Sequence, residues 1–404
     1  MRLHRNLVFA SIDALAEIFN EGAYADKVIQ KTLKRDKRWG ARDRSFIAET
    51  VYDIVRWKRL YAEIAEVKEP FSRENLFRLF TVWATLRGIK LPDWPQFEGT
   101  PTRRIKGKFD SLSKIRKFRE SIPDWLDELG KKELGEKIWE KEIGALNKQA
   151  PVIIRANTLK TTVEGLQKKL REEEIETTRI KNYPEALELV ERSNVFRTIA
   201  FKDGLFEVQD ASSQVVAHFL DVQPGMRVVD TCAGAGGKTL HLAALMENKG
   251  QIIATDIYEN KLKELKRRAK RAGAHNIDPR AIDSTKVIKK LYGTADRVLI
   301  DAPCSGLGVL SRNPDAKWKL QPEFLERLRN TQFEILEKYS RILKPGGKMV
   351  YATCSILPSE NKAQVDKFLN SENGKNFKLS KDKSLLSSVT GYDGFYMALL
   401  EKIS

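Results

Sequence analysis

The chain is poor in the residues that build disulfide or metal frameworks. Among its 404 residues there are three cysteines, Cys232, Cys304 and Cys354. They are too few and too far apart for a disulfide scaffold or a four-ligand zinc site, so reduced thiols are expected. The four histidines, His4, His218, His241 and His275, form no HxxxH or Cys/His pattern, and the sequence predicts no metal. A run of about 18 uncharged apolar residues, which a membrane helix requires, is also missing. The opening segment MRLHRNLVFASIDALAEIFNEG carries Asp13 and Glu17 where a signal peptide would be apolar, which points to a cytoplasmic protein that engages no membrane. Internal repeats and low-complexity tracts are absent as well.

What is present is an ordinary globular composition, 41% hydrophobic and 31% charged. The length is too great for one core and suggests two or three domains. A formal charge of +17 and a pI near 9.5 favour a polyanionic partner, because each Lys or Arg that meets a phosphate releases condensed counterions. A basic surface that touches no nucleic acid has the same composition, so charge alone does not name the partner.

To about residue 145 the pattern is helical. Val8, Ile12, Leu15 and Phe19 recur at helical steps, and in RDRSFIAETVYDIVRWKRL the stripe Ile47, Val51, Ile54 and Val55 is ringed by Arg42, Arg44, Arg56, Lys58 and Arg59. The stretch LPDWPQFEGTPTRRIKGKF, residues 91–109, reads as a loop because of its Pro and Gly content. From Pro151 the period changes. VIIRAN is a short strand, Thr161 and Glu164 form a capping-box pattern ahead of a helix carrying Val163, Leu166 and Leu170, and LELV and LFEVQ suggest strands joined by a hairpin turning at Asp203-Gly204. After Gly225 short apolar segments alternate with helices: MRVVD, QIIATD, RAID, RVLID and KMVYAT. That alternation predicts a doubly wound parallel sheet whose ligand crevice lies at the strand carboxyl ends, where Asp230, Asp256, Asp283 and Asp301 fall.

The chemistry gathers there. In VVDTCAGAGGKT, Gly234, Gly236 and Gly237 let the backbone turn sharply and approach a ligand. A phosphate loop fails on spacing, since Cys232 stands where its first glycine belongs, and GxGxxG fails at Thr239. Asp256 ends the second strand, where a ribose hydroxyl pair is bound in such folds, and Asp283 is placed to accept from an adenine amino group. IDAPCSGLG, with Asp301 and Cys304, and YATCS, with Cys354, bring two thiols to strand ends. A buried cysteine is usually a small apolar filler. Two at one crevice suit covalent catalysis at a pyrimidine carbon, with the thiolate as attacking species.

CAGAGGKT, DAPCSG and TCS together resemble the Sun/Fmu family of RNA cytosine-C5 methyltransferases. RANTLK, QDASSQ, the C-terminal DGFYMALLEK and the N-terminal DRSFIAETVYDIVRWK also fit that family, so nearly the whole chain is covered. The resemblance implies a NusB-like helical RNA-binding domain at 1–145, a small RRM-like α+β connector at 150–221 and a Rossmann-type catalytic domain at 222–404. It implies S-adenosyl-L-methionine bound by Cys232, Ala233, Gly234, Ala235, Gly236, Gly237, Lys238, Asp256, Asp283 and Asp301. It makes Cys354 the nucleophile at cytosine C6, Cys304 the helper in product release, and Asp301 the group that holds N3. DNA cytosine methyltransferases instead attack with a Pro-Cys cysteine, which would be Cys304 here. The family loop usually reads CAAPGGKT, so Gly234 and Ala235 depart from it by losing a side chain and a rigid proline. The expected partner is RNA, 16S rRNA ahead of tRNA, with no DNA, and the expected state is a monomer. Arg42, Arg44, Arg103, Arg104 and Lys106 are the candidate phosphate grips. A non-catalytic assembly factor would not need both thiols, Asp301 and a complete cofactor loop. An amino-group methyltransferase would carry an Asn/Asp-Pro-Pro-aromatic motif where DAPCSG stands.

Overall fold

The structure, a computed structural model, describes residues 3–98 and 102–403. The chain forms two compact units, one from the residues up to Lys148 together with Leu310–Gln321, the other from Gln149–Val309 and the residues from Pro322 onward.

The first unit is helical. The helices Arg5–Asn20, Ala41–Arg56 and Arg73–Leu86 bury Ile12, Leu15, Ile47, Val51, Ile54, Phe77 and Phe80 in one core. Part of the stretch expected to be a loop is in fact the helix Thr102–Leu112, while residues 99–101 lie outside the described residues. A single buried side chain, Ile105, anchors that helix, too little apolar content to announce it in sequence. The segment 310–321 is stitched into this unit: Arg56 Nη2 donates to Ser311 O at 2.9 Å and Trp318 Nε1 to Val55 O at 2.7 Å. Lys317 is fully buried and donates to Glu120 O and Asn147 Oδ1, and desolvation drives its amine well below the usual lysine range.

The second unit holds two sheets. The smaller comprises β1 (Ile153–Ala156), β2 (Thr177–Arg179), β3 (Ala186–Leu189) and β4 (Phe206–Val208) in the order β2-β3-β1-β4, all antiparallel. β3 and β4 both flank β1, so they do not form the hairpin expected at Asp203-Gly204; the short helix Ile199–Lys202 separates them. The helix Val163–Glu172 is capped by Thr162, whose hydroxyl accepts from Gly165 N, rather than by Thr161.

The larger sheet comprises β5 (Arg227–Asp230), β6 (Gln251–Asp256), β7 (Ile277–Ala281), β8 (Ala295–Asp301), β9 (Leu343–Thr353), β10 (Phe377–Leu385) and β11 (Phe395–Lys402). Their order is β10-β11-β9-β8-β5-β6-β7. β5 to β9 are parallel, but β11 runs antiparallel to β9 and β10 antiparallel to β11, so the sheet is mixed rather than wholly parallel. Alternate residues enter opposite cores. Val228, Leu299 and Val350 pack with Val216, Leu242 and Leu265, whereas Val229, Val298, Ile300 and Tyr351 pack with Leu336, Val365 and Phe368. Strands buried on both faces give continuous apolar runs, which is why they were legible. The strand order reverses between β5 and β8, the place where such sheets bind ligands at the carboxyl ends of their strands, and Asp230 and Asp301 end these two strands. No helix among the described residues is long and apolar enough to cross a membrane.

Candidate active site

The loop after β5 leads into the helix Gly237–Leu245, whose N-cap Gly236 has φ 87°. A Cβ on Gly236 would stand 2.6 Å from Leu265 Cγ, so only glycine fits both the turn and the neighbouring helix. At Gly234 (φ 55°) nothing lies within 4 Å of where a Cβ would be, which leaves the backbone open to a ligand. The loop lacks the family's proline but is pinned from three sides. Gly234 N donates to Asp256 Oδ2, Arg268 Nη1 to Ala235 O and Arg155 Nη1 to Gly237 O, each at 2.8 Å. Arg155 belongs to the RANTLK segment, so the small sheet braces the loop directly. Asp256 also accepts from Tyr258 N, so the carboxylate expected at the ribose shapes the loop itself. Asp283 lies two residues beyond the end of β7 and is exposed. Cys232 is half-buried, and burial pushes its thiol upward, which suits a wall residue rather than a nucleophile.

Beneath the loop Asp230 is 1% exposed. Its Oδ2 accepts from Thr239 Oγ1 at 2.7 Å, while Oδ1 has no partner among the described residues. Burial pushes its carboxyl up to about 7.

The two motif thiols meet across adjacent parallel strands. Cys304 Sγ and Cys354 Sγ are 3.4 Å apart. The bond to Cys354, and then burial, raise the Cys304 thiol well above the ordinary cysteine range. Lys238, at the start of the helix, pairs with Asp301 Oδ2 at 2.6 Å and lies over the Phe395 ring. Burial opposes its charge, but Asp301 and then Cys354 outweigh that penalty and hold the ammonium ionised. Lys238, which the sequence placed only in the cofactor loop, therefore puts a positive charge within electrostatic reach of Cys354. Backbone closes the site: Gly308 N donates to Cys354 O at 2.9 Å and Gly394 N to Gly308 O at 2.7 Å. A Cβ on Gly308 would stand 2.1 Å from Gly394 O. Neither glycine was singled out in the sequence, although both lie in the DAPCSGLG and DGFY segments.

Elsewhere in this unit Glu185, His218 and His241 come together, a grouping that local spacing could not reveal. His218 Nε2 lies 2.8 Å from Glu185 Oε2, and His241 Nε2 is 3.7 Å from it. Two imidazoles and a carboxylate form a metal-type donor set, but the buried Arg155 guanidinium bears electrostatically on His241 and disfavours a cation there. Burial first, and then Arg155, push His241 down to about 3.

The basic candidates of the helical unit divide. Arg44 is committed to Trp39 O and Leu33 O, Arg59 to Ile122 O, and Arg104 pairs with Glu66. Arg42, Arg103 and Lys106 are exposed.

A glycine loop after the first strand of a seven-stranded Rossmann-like sheet, with an acid ending the second, defines a methyltransferase fold. Residues 217–401 match the family described as 16S rRNA methyltransferase RsmB/F, and residues 122–196 match the ferredoxin-like domain of RsmF/B-like methyltransferases. The chain is 35% identical over 298 residues to a probable ribosomal RNA small subunit methyltransferase B of Synechocystis sp., covering 70% of this chain and 67% of that one. It is 33% identical over 321 residues to ribosomal RNA small subunit methyltransferase B of Pasteurella multocida, covering 76% and 71%. The crystal structure of PH0851 superposes over 100% of both chains with TM-score 0.84 at 29% identity. The chain belongs to the RsmB/F family of 16S rRNA methyltransferases, with S-adenosyl-L-methionine as cofactor and RNA as substrate.

Proposed function

We propose that the chain methylates carbon 5 of a cytosine in 16S rRNA through a covalent adduct to Cys354. The observation that carries this reading is the 3.4 Å approach of Cys304 and Cys354, beside the Lys238–Asp301 pair at the carboxyl ends of β8 and β9. Cytosine C5 is a poor nucleophile until addition at C6 makes the ring enamine-like. Cys304 donates its S–H toward Cys354 and Lys238 adds positive charge, so Cys354 attacks as the thiolate. The Sγ–C6 bond forms, the C5–C6 π pair moves to C5, and C5 takes the methyl group. N3 takes up a proton from solvent as that pair moves, and Asp301 accepts from the N3–H, stabilising the protonated adduct until the proton is given back at release. The C5 proton then passes to solvent water, its C–H pair re-forms the C5–C6 double bond, and the Sγ–C6 pair returns to Cys354 as thiolate, a release that Cys304 assists with its S–H toward the departing sulfur. When bound, S-adenosyl-L-methionine supplies the electrophilic methyl. Gly234 and its neighbours from Cys232 to Lys238, with Asp256, Asp283 and Asp301, would hold the cofactor, Asp256 at the ribose and Asp283 accepting from the adenine amino group.

A base within a helix cannot present C6, so the target is single-stranded or flipped out, at a cost of a few kcal/mol. We assign that grip to a NusB-like module at 1–145 and an RRM-like connector at 150–221 ahead of a catalytic domain at 222–404, acting as a cytoplasmic monomer on RNA rather than DNA. The test is transfer of labelled methyl to unmodified ribosomal RNA by wild type, Cys354→Ala and Cys304→Ala, with trapping of protein–RNA adducts. Cys354→Ala should abolish transfer and Cys304→Ala should accumulate adduct. The reverse pattern would assign attack to Cys304, and transfer to tRNA alone would move the substrate.

A further inference from the structure

We propose that Glu360 is a positioning residue that sets the spacing of the two thiols by clamping the serine after each of them, an inference that rests on the two-thiol reading above. Ser305 follows Cys304 and Ser355 follows Cys354. The two loops repeat one device: Ser305 Oγ accepts from Leu307 N at 3.3 Å, and Ser355 Oγ accepts from Leu357 N at 3.2 Å. Both hydroxyls then donate to one oxygen, Glu360 Oε2, at 2.5 Å each. Oε1 accepts from Ser305 N at 2.8 Å and from Gln332 Nε2 at 3.0 Å. Glu360 is 0% exposed, so all four bonds form away from competing water. Its own place is fixed from β9, where Tyr351 OH donates to Glu360 O at 2.7 Å, and from Asn361, whose Nδ2 donates to Ser355 O at 2.9 Å. Glu360 thus joins the loops bearing Cys304 and Cys354 at the residue next to each sulfur. Both groups at Oε1 are N–H donors, so a glutamine of equal shape must aim its NH2 at the place of Oε2, where the two serine hydroxyls lose the charged oxygen they donate to and the clamp weakens.

A buried carboxylate with four donors could also be a fastener of the fold alone, and the experiment separates the two roles. Full-length Glu360→Gln, Ser305→Ala, Ser355→Ala and the double serine variant are compared with wild type for methyl transfer to unmodified 16S rRNA, for thermal midpoint, and for thiol coupling by diamide. In the coupling reaction the Cys304–Cys354 disulfide forms as diamide takes up both protons and both electrons, so its rate reports the approach of the two sulfurs. We expect kcat to fall roughly ten- to hundredfold in Glu360→Gln, the scale of an ångström-sized misplacement, with KM for cofactor and RNA within about twofold. Coupling should slow at least about fivefold. The double serine variant should reproduce both effects. A lowered midpoint with kcat and coupling unchanged would show a fastener and overturn the proposal. Should Glu360→Gln fail to fold, the serine variants decide it, since unchanged kcat and coupling there would overturn it equally. If Cys354→Ala still transfers methyl, the thiol reading fails, while the coupling rate, which does not depend on the atom methylated, still tests Glu360.

Discussion

Replacing Asp230 by Asn tests the electrostatics under the cofactor loop. Asp230 is fully buried, accepts one hydroxyl bond, and its carboxyl is pushed from 3.8 up to about 7 by burial. Below about pH 4 the carboxyl is protonated in both folded and unfolded chains and costs nothing. As pH rises the unfolded chain ionises first, so stability is lost progressively until pH passes about 7. At about 1.4 kcal/mol per unit, the penalty is about 1.5 kcal/mol at pH 5 and about 4 kcal/mol at pH 8. Asn is neutral, keeps the shape and still offers an oxygen to Thr239. Asp230→Asn should therefore be the more stable protein at pH 8, and its advantage should shrink by more than half at pH 5. For a unit of this size about 2–4 °C accompany each kcal/mol, so the thermal midpoint at pH 8 should rise on the order of 10 °C. Thermal scans of the cofactor-free protein at both pH values measure this. A variant no more stable than wild type at pH 8, or one with a pH-independent gain, would refute the reasoning.

Lys238→Met removes the cation that Asp301 and Cys354 share, and methyl transfer should fall about a hundredfold or more, the scale of losing a preorganised electrostatic contact. Single-turnover kinetics at saturating cofactor would show it, and a loss under fivefold would remove Lys238 from the chemistry. Gly308→Ala forces a methyl group against Gly394 O, 2.1 Å away, so the loop behind Cys304 must shift. The expected result is about 1–3 kcal/mol of destabilisation in denaturant melts and at least roughly tenfold lower kcat, and a variant matching wild type in both would contradict the packing. Arg42, Arg103 and Lys106 changed together to Glu should flatten the salt dependence of RNA binding by about 2–3 in log–log slope, if all three meet phosphates. The same change at Arg44, whose guanidinium is committed to Trp39 O and Leu33 O, should lower the melting temperature instead.

Much of the fold could be read because the central strands are buried on both faces and so appear as apolar runs. The edge strand Phe377–Leu385 could not: its sequence FKLSKDKSL is exposed along most of its length, and lysines on an edge protect against unwanted pairing while hiding the strand from any hydrophobic pattern. The helix Thr102–Leu112 escaped for a related reason, having one buried residue. The hairpin expected at Asp203-Gly204 failed because turn chemistry reports a local bend, whereas the partner of β4 is β1, some fifty residues earlier in the chain.

The sequence by itself determined the class of fold and picked out Cys304, Cys354, Asp301 and the glycine loop as candidate site residues at strand ends, because each belongs to a short motif whose residues are neighbours along the chain. Only the tertiary structure decided the pairing of Lys238 with Asp301, the 3.4 Å approach of the thiols, the grip of Glu360 on both serines, and which arginines are committed to backbone carbonyls. Those contacts join residues far apart in sequence, and their geometry is fixed by sheet register and helix packing, quantities that no local spacing encodes.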